Sequence, residues 1–433
     1  RNRAKYLSGF YKERRDMVEG LVRTHLTGSV PGSVEIASGM PNPETVPFSS
    51  ATFKCKDGTE LHVDEDTMRK ITPYQRTRGM DDLLKWISVI HKEFHNPPKM
   101  GAAKDGSQWG ASVCPGSLGG MDFLFQAIME ENDVVLLDEF AFGGTKKLVH
   151  KMNSIYLGVP MDGEGLVPEK LRDILNRWEE LSAPIANGRK MNKPKVLVTT
   201  PVGQNPTGVN TTRERKQEIY KIAQEYDLLI VEDDPYYYLQ YGKTYMPSYQ
   251  ALDVDGRVIR LDSMSKFITP SMRIGWMTGP EAIIERASGF MGCSCMSLSC
   301  FSEIATIKYF DSLGLEGFRN RVKYLSDFYK ERRDMVEGLV KTHLTGIVSW
   351  TTPTAGMYIW LNLLNTDDSM FLADEELCRK YKVFVVPGID FACDSSKTYS
   401  QVRLCFARTT QADFEKGIPL LARFITENIG KKV

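Results

Sequence analysis

Three apolar runs of this chain end in residues that could do chemistry. Lys195–Thr200 leads into Pro201-Val-Gly-Gln-Asn205-Pro-Thr-Gly208. Leu228–Val231 leads into Glu232-Asp233-Asp234-Pro-Tyr236. Val258–Leu261 leads into Asp262-Ser263-Met-Ser265-Lys266. A fourth stretch, Pro115-Gly-Ser117-Leu-Gly-Gly120, is a glycine-rich turn that opens an apolar helix at Met121. In an open α/β sheet a ligand sits beyond the carboxyl ends of the strands. A glycine-rich turn at a helix start points backbone N–H groups at an anion. Each signal has a plain structural alternative: a loop, an Asp that caps a turn, a solvated lysine. Together they describe a phosphate cradle, a carboxylate, an Asn/Tyr hydrogen-bonding pair and a lysine.

That set is what pyridoxal phosphate requires. The lysine forms a Schiff base, and an aspartate keeps the pyridine nitrogen protonated so that the ring accepts electrons. Backbone amides, hydroxyls and an arginine bind the phosphate. A nicotinamide enzyme is disfavoured, because no Gly-x-Gly-x-x-Gly turn is followed by an acidic residue about 20 positions later. Lys+Arg and Asp+Glu are equal at 55 each, so no chain-wide basic field awaits nucleic acid. No run of about 18 apolar residues suggests a membrane span. The 8 cysteines are scattered over 433 residues, which points to free thiols in a reducing compartment, the cytoplasm with the mitochondrion as alternative. Cys293, Cys295 and Cys300 lack the paired spacing of a zinc site. His91 and His95 read as surface histidines with no third ligand, so no metal is expected.

The elements that must position these residues follow from the periodicity. Strands are expected at Val134–Leu137, Lys195–Thr200, Leu228–Glu232, Val258–Asp262 and Arg273–Thr278, and helices at Met121–Met129, Leu171–Leu181 and Arg213–Tyr226. This alternation predicts an α/β domain with a mostly parallel sheet flanked by helices. A charged helix at Gly317–Val340 and short runs at Met357–Leu361, Phe384–Val386 and Gln401–Phe406 predict a smaller α+β domain. The expected division is 51–314 for the large domain, with 29–50 and 315–433 in the small one.

Ser263-Met-Ser-Lys266-Phe-Ile-Thr-Pro-Ser-Met-Arg273-Ile-Gly-Trp276 resembles the cofactor-lysine motif of fold-type-I aminotransferases. Asn205-Pro-Thr-Gly208 and Asp233-Asp-Pro-Tyr236 match that superfamily's other two signatures in order. Within it the chain is most similar to the kynurenine/α-aminoadipate aminotransferases, with the fungal aromatic aminotransferases nearby, over about residues 33–430. The resemblance implies that Lys266 carries pyridoxal 5'-phosphate and then acts as the proton-transfer base. It implies that Asp233 pairs with the pyridine N–H, and that Asn205 and Tyr236 hydrogen-bond the ring 3-hydroxyl. Ser117, Leu118 (through its N–H), Ser263, Ser265 and Arg273 would hold the phosphate, and Phe142 would stack on the ring. Tyr74 would reach the phosphate of a neighbouring subunit, which implies a homodimer. Arg403, with Gly39 and Asn205, would bind substrate, its fork taking the α-carboxylate. The implied reaction is ping-pong amino transfer from kynurenine, α-aminoadipate or an aromatic amino acid to 2-oxoglutarate.

Four departures from the family stand out. Phe142 replaces a stacking Tyr, Leu118 a polar residue, and Val202 an Asn. The fourth is at the start of the chain. Residues 1–28 recur at 319–346 with three differences: Ala4/Val322, Gly9/Asp327 and Arg23/Lys341. Two copies do not make a solenoid. Near-identity over 28 residues exceeds what packing imposes, and a duplicated coding segment or misassembled gene model is the favoured origin. The chain opens on Arg1 rather than Met, so the native start is expected to lie elsewhere. Both copies are expected to be amphipathic helices with Tyr6, Phe10, Met17 and Leu21 (or their counterparts) on one stripe, and one copy is expected to be poorly placed. In the family this region is an arm that closes over the substrate. Its replacement raises the alternative of a cofactor-binding protein with impaired turnover.

Overall fold

The computed structural model describes residues 39–98, 109–242 and 244–429. The N-terminal copy, and with it the expectation that it stands in place of an arm, lies outside these residues. The strands, in chain order, are β1 (Ala51–Lys54), β2 (Glu60–Val63), β3 (Trp109–Cys114), β4 (Asp133–Asp138), β5 (Ile155–Val159), β6 (Met161–Asp162), β7 (Gly165–Leu166), β8 (Asn192–Thr199), β9 (Leu229–Asp233), β10 (Val258–Ser263), β11 (Gly275–Pro280), β12 (Val348–Trp350), β13 (Tyr358–Leu363), β14 (Val386–Pro387) and β15 (Gln401–Cys405). The chain forms two compact units. One takes the described residues up to 130 together with 253–319; the other takes 131–252 and the described residues from 320.

In the first unit β11 runs antiparallel to both β10 and β3, so β10 and β3 point the same way. The register sets Gly275 opposite Ser263 on one side and Cys114 on the other. The loops that leave β3 and β10 therefore emerge at one edge, and these loops carry Ser117 and Lys266. Gly275 is required at this crossing. A Cβ there would lie 2.6 Å from the Asp262 carbonyl oxygen and 2.9 Å from Gly116 Cα. The turn after β10 is anchored by Phe267, which is buried and stacks on Phe318 at 4.5 Å. Removing a ring so packed costs about 3–5 kcal/mol.

The second unit holds the parallel strands β9, β8, β4 and β5, with pairings such as Val198↔Val231 and Leu137↔Val198. All six residues of β4 are buried, as expected for a strand covered on both faces. Thr212 caps the helix Arg213–Tyr226 by accepting the Arg215 N–H, and Asp227 ends it in the left-handed region. The same unit contains an antiparallel sheet of order β12-β13-β15-β14. Its apolar face packs with the helices Glu375–Tyr381 and Gln411–Asn428 around Ile359, Leu361, Leu404 and Phe424.

The helical run Cys300–Leu344 is broken at Gly314, where φ is +59°, and contains most of the second copy of the repeat. That copy is helical as expected, but its buried face differs from the expected stripe. Val322, Leu325, Val336, Val340 and Leu344 are buried, whereas Tyr324 and Phe328 are exposed. The aromatics instead lie in solvent beside guanidinium groups, Arg321 on Tyr324 and Arg332 on Phe328. The β-branched residues and leucines make the better packing row. His91 and His95 are also corrected. They are buried, not on the surface, because the helix Asp81–Phe94 turns that face inward. Trp276 Nε1–H donates to His91 Nε2 at 2.9 Å, and that nitrogen lies 3.3 Å from Asp262. His91, His95 and Asp262 are close enough to share an ion, yet Arg260 already neutralises Asp262 through two hydrogen bonds at 2.9 and 2.8 Å. Burial pushes the Asp262 carboxyl up, but the Arg260 charge prevails and holds it below the ordinary range. All eight cysteines are free. Among the described residues no helix is long and apolar enough to cross a membrane.

Candidate active site

The first unit builds an anion cradle. The helix Gly116–Ile128 starts at Pro115 with no side chain capping it, so its first N–H groups, including those of Ser117 and Leu118, are left for a ligand. Arg273 sits in the left-handed region at φ +53° and folds back over this turn. Its Nη2 donates to the Pro115 carbonyl at 2.8 Å and its Nη1 reaches Ser265 Oγ at 3.4 Å. Ser263 Oγ and Ser265 Oγ are 3.0 Å apart. Gly116 has φ +75°, and a Cβ there would meet Arg273 Nη2 at 2.1 Å. An uncapped helix start, two hydroxyls and a guanidinium within one loop pair fit a phosphate. Lys266 follows directly on the turn, half-buried, held by Phe267 and Ile268 N–H groups bonded to the Met264 carbonyl.

The second unit gathers buried and half-buried side chains distant in sequence. Arg403 on β15 donates through Nη1 to Asn205 Oδ1 at 2.8 Å. The Asn205 oxygen is thereby occupied, and its NH2 group is turned outward as a donor. The Arg403 guanidinium lies 4.7 Å from the ring centres of both Tyr358 and Phe391. Its buried Nε finds no partner among the described residues, which leaves a charged donor for a carboxylate. Tyr236 and Tyr358 share a hydrogen bond at 3.0 Å, and burial pushes the Tyr236 phenol well above its ordinary value. Tyr236 is therefore a neutral hydroxyl at pH 7. Gly208 has φ +69°, and a Cβ there would lie 2.3 Å from the Tyr358 carbonyl oxygen. That contact explains why the Asn205-Pro-Thr turn closes on glycine. Asp233, the last residue of β9, is half-buried.

The residues expected from sequence fall into place as follows. Ser117, Leu118, Ser263, Ser265, Lys266 and Arg273 gather in the first unit, and Asn205, Tyr236 and Arg403 in the second. Tyr74 is exposed beside the groove of Met40, Pro41, Pro43 and Thr72. Gly39 is exposed, with nothing near an added Cβ. Phe142 is exposed at 43% at the start of the helix Gly143–Lys151. Val202 is buried. Sequence reasoning missed Tyr358 and Phe391, which flank Arg403. The only local signal was the step from Ala355-Gly-Met357 into a strand, which does not say which way a side chain points.

The chain and its fold have counterparts among known proteins. The family model for aminotransferase class I and II matches residues 45–419. Kynurenine/alpha-aminoadipate aminotransferase, mitochondrial, of Bos taurus is 34% identical over 409 residues, covering 94% of this chain and 95% of the relative. Aminotransferase tdiD of Emericella nidulans is 30% identical, covering 92% of this chain and 90% of the relative. Among solved structures, aminotransferase Aro8 from Candida albicans matches with a TM-score of 0.86 at 24% identity, covering 100% of this chain and 99% of the other. A Pyrococcus horikoshii kynurenine aminotransferase, in complex with PMP, matches with a TM-score of 0.74 at 26% identity, covering 99% and 98%. The expected fold is therefore observed, with its mostly parallel sheet flanked by helices. The chain belongs to the class I and II aminotransferases and is a fold-type-I enzyme that transfers amino groups with pyridoxal 5'-phosphate as its cofactor.

Proposed function

We propose that the protein transfers the amino group of kynurenine, α-aminoadipate or an aromatic amino acid to 2-oxoglutarate in two ping-pong half-reactions. The observation that carries this reading is Arg403: a half-buried guanidinium on Asn205, beside two aromatic rings, with a buried Nε that finds no partner among the described residues. A bidentate fork in an apolar collar suits the α-carboxylate of an amino acid with a bulky side chain. The names of the bovine and Pyrococcus relatives support the same substrate class.

When bound, pyridoxal phosphate supplies an electron sink for the pair released as the substrate Cα–H bond breaks. Ser117, Ser263, Ser265, Arg273 and the Leu118 N–H hold the phosphate. Asp233 holds a proton on the ring nitrogen. Asn205 and Tyr236 donate to the ring oxygen, Asn205 through the NH2 group that Arg403 leaves outward. Phe142 covers the ring face, and Gly39 leaves room for the substrate. Lys266 would hold the cofactor and, once its amine is free, would accept the substrate Cα proton and deliver it to the cofactor side of the amino nitrogen. Tyr74 serves a neighbouring subunit's phosphate in a homodimer. Free thiols throughout support a reducing compartment, the cytoplasm or, in keeping with the printed name of the bovine relative, the mitochondrion.

The test is to load the purified protein with the cofactor and add candidate amino acids one at a time. Loss of the visible band, with release of the matching 2-oxo acid and restoration by 2-oxoglutarate, is the expected result. A band that never responds would favour the impaired cofactor-binding reading. No band at all would sink both.

A further inference from the structure

Gln204 stands outside the groups assigned above, yet it is 1% exposed and saturated with hydrogen bonds. Its Nε2 donates to the Phe140 carbonyl at 2.5 Å and reaches Asp138 Oδ2 at 3.4 Å. Its Oε1 accepts from both the N–H and the hydroxyl of Thr207, at 2.9 and 2.8 Å. Its backbone closes the same turn, N–H to the Val209 carbonyl and carbonyl from the Gly208 N–H. Asp138 behind it is fully buried and accepts from the Thr199 hydroxyl at 2.8 Å and the Thr200 N–H at 2.9 Å. One carboxamide thus fastens the turn carrying Asn205 to the exit of β4, which carries Phe142 two residues past Phe140. The Ala141 N–H in that exit bonds to the carbonyl of Phe391, whose ring flanks Arg403.

We propose that Gln204 is a positioning residue for amino transfer, its carboxamide holding Asn205, Phe142 and Arg403 in mutual register from behind. The inference rests on the reading of Asn205 and Phe142 as cofactor contacts. A neutral amide is suited to the task, since it donates to one segment and accepts from the other. A carboxylate could not donate to the Phe140 carbonyl, and it would face Asp138. A misplacement of about 1 Å at the reacting groups can cost up to about a hundredfold in rate.

The experiment uses the holoenzyme with Gln204→Met, close in size and unable to make these bonds, and Thr207→Val, which removes one of the two donors to Oε1. Asn205→Ala is the control. The readouts are the pH midpoint of the visible band, kcat and KM for the fastest donor, and the melting temperature of the cofactor-free protein. We expect Gln204→Met to move the midpoint in the direction of Asn205→Ala and to lower kcat roughly tenfold. KM should change less, and Thr207→Val should show a smaller shift of the same sign. If Asn205→Ala moves the midpoint while a folded Gln204→Met behaves as wild type, the proposal fails and the reading of Asn205 stands. If Asn205→Ala itself leaves the midpoint unmoved, the reading of Asn205 fails first and takes the proposal with it. If Gln204→Met does not fold, a wild-type midpoint and kcat in Thr207→Val overturn the proposal. Failure of both variants to fold assigns Gln204 to the core and overturns it as well.

Discussion

The two groups of candidate site residues, one in each unit, are built in different ways. In the first unit the candidate phosphate cradle joins backbone to polar side chains: an uncapped helix start and a turn at Gly116 pressed against Gly275, with the Ser263 and Ser265 hydroxyls and Arg273 beside them. Its one charged side chain, Arg273, is exposed. In the second unit the groups are side chains that hold one another, half-buried Arg403 on buried Asn205 and Tyr358 on Tyr236. Backbone donors need no rotamer fixed and suit an anion that only has to be held. Side chains that must donate, stay neutral or fork around a carboxylate need their states set by neighbours, which burial provides. Under the proposed reading, the first unit's cradle governs how tightly the phosphate is held and Arg403 in the second governs the amino donor, while turnover draws on residues of both, Lys266 and Asp233 among them.

The largest effect is expected from Lys266→Ala, which reaches both cofactor attachment and turnover. It removes the attachment point and the proton-transfer base, so steady-state turnover should fall by about 10³-fold or more. The visible band of the holoenzyme should disappear while the protein still folds, as a melting curve would check. Arg403→Lys keeps the charge but loses the fork. We expect kcat/KM for the amino donor to fall by about 10²-fold, measured in the half-reaction.

Gly116→Ala forces a Cβ at φ +75° into Arg273. Cofactor Kd should rise by roughly tenfold, in line with 1–3 kcal/mol for strain of this kind. Asp138→Asn addresses pH. Burial raises the Asp138 pKa to about 6, against hydrogen bonds from Thr200, Thr199 and Gln204. The folded protein therefore holds this proton more tightly than the unfolded chain. The stabilisation is complete below the unfolded value and is lost as pH rises through about 6. Urea titrations of the wild type should lose stability between pH 4 and 7, on the order of 3 kcal/mol from this group, and Asp138→Asn should flatten that slope. Tyr358→Phe is the mildest change. It removes one hydrogen bond from Tyr236, worth about 1 kcal/mol, so kcat should fall roughly fivefold with cofactor Kd unchanged.

How far the sequence could be read follows the same division. Strands ending in Asn205, Asp233 and Lys266 were legible because apolar runs that stop at polar residues are local patterns. The helix Arg213–Tyr226 was legible from its periodicity, and the structure adds the Thr212 cap. Gly116 and Gly208 were visible as glycine punctuation, although the reasons for them, Arg273 and the Tyr358 carbonyl, needed coordinates. Tyr358, Phe391 and Gln204 were not legible, since their partners lie far along the chain and aromatic residues at a strand edge usually read as core. The exposed Tyr324 and Phe328 show the converse: aromatic spacing at helical period does not choose the buried face when a row of Val and Leu competes.

The division between the two halves is tested most directly by measuring cofactor Kd and donor kcat/KM side by side for Arg273→Ala and Arg403→Lys. The account predicts that Arg273→Ala raises cofactor Kd by roughly tenfold or more, a charge-assisted hydrogen bond being worth about 1.5–3 kcal/mol, with saturated kcat/KM changed far less. Arg403→Lys should do the reverse. Equal effects of both variants on cofactor Kd, or a loss of donor kcat/KM in Arg273→Ala that saturating cofactor does not restore, would contradict it.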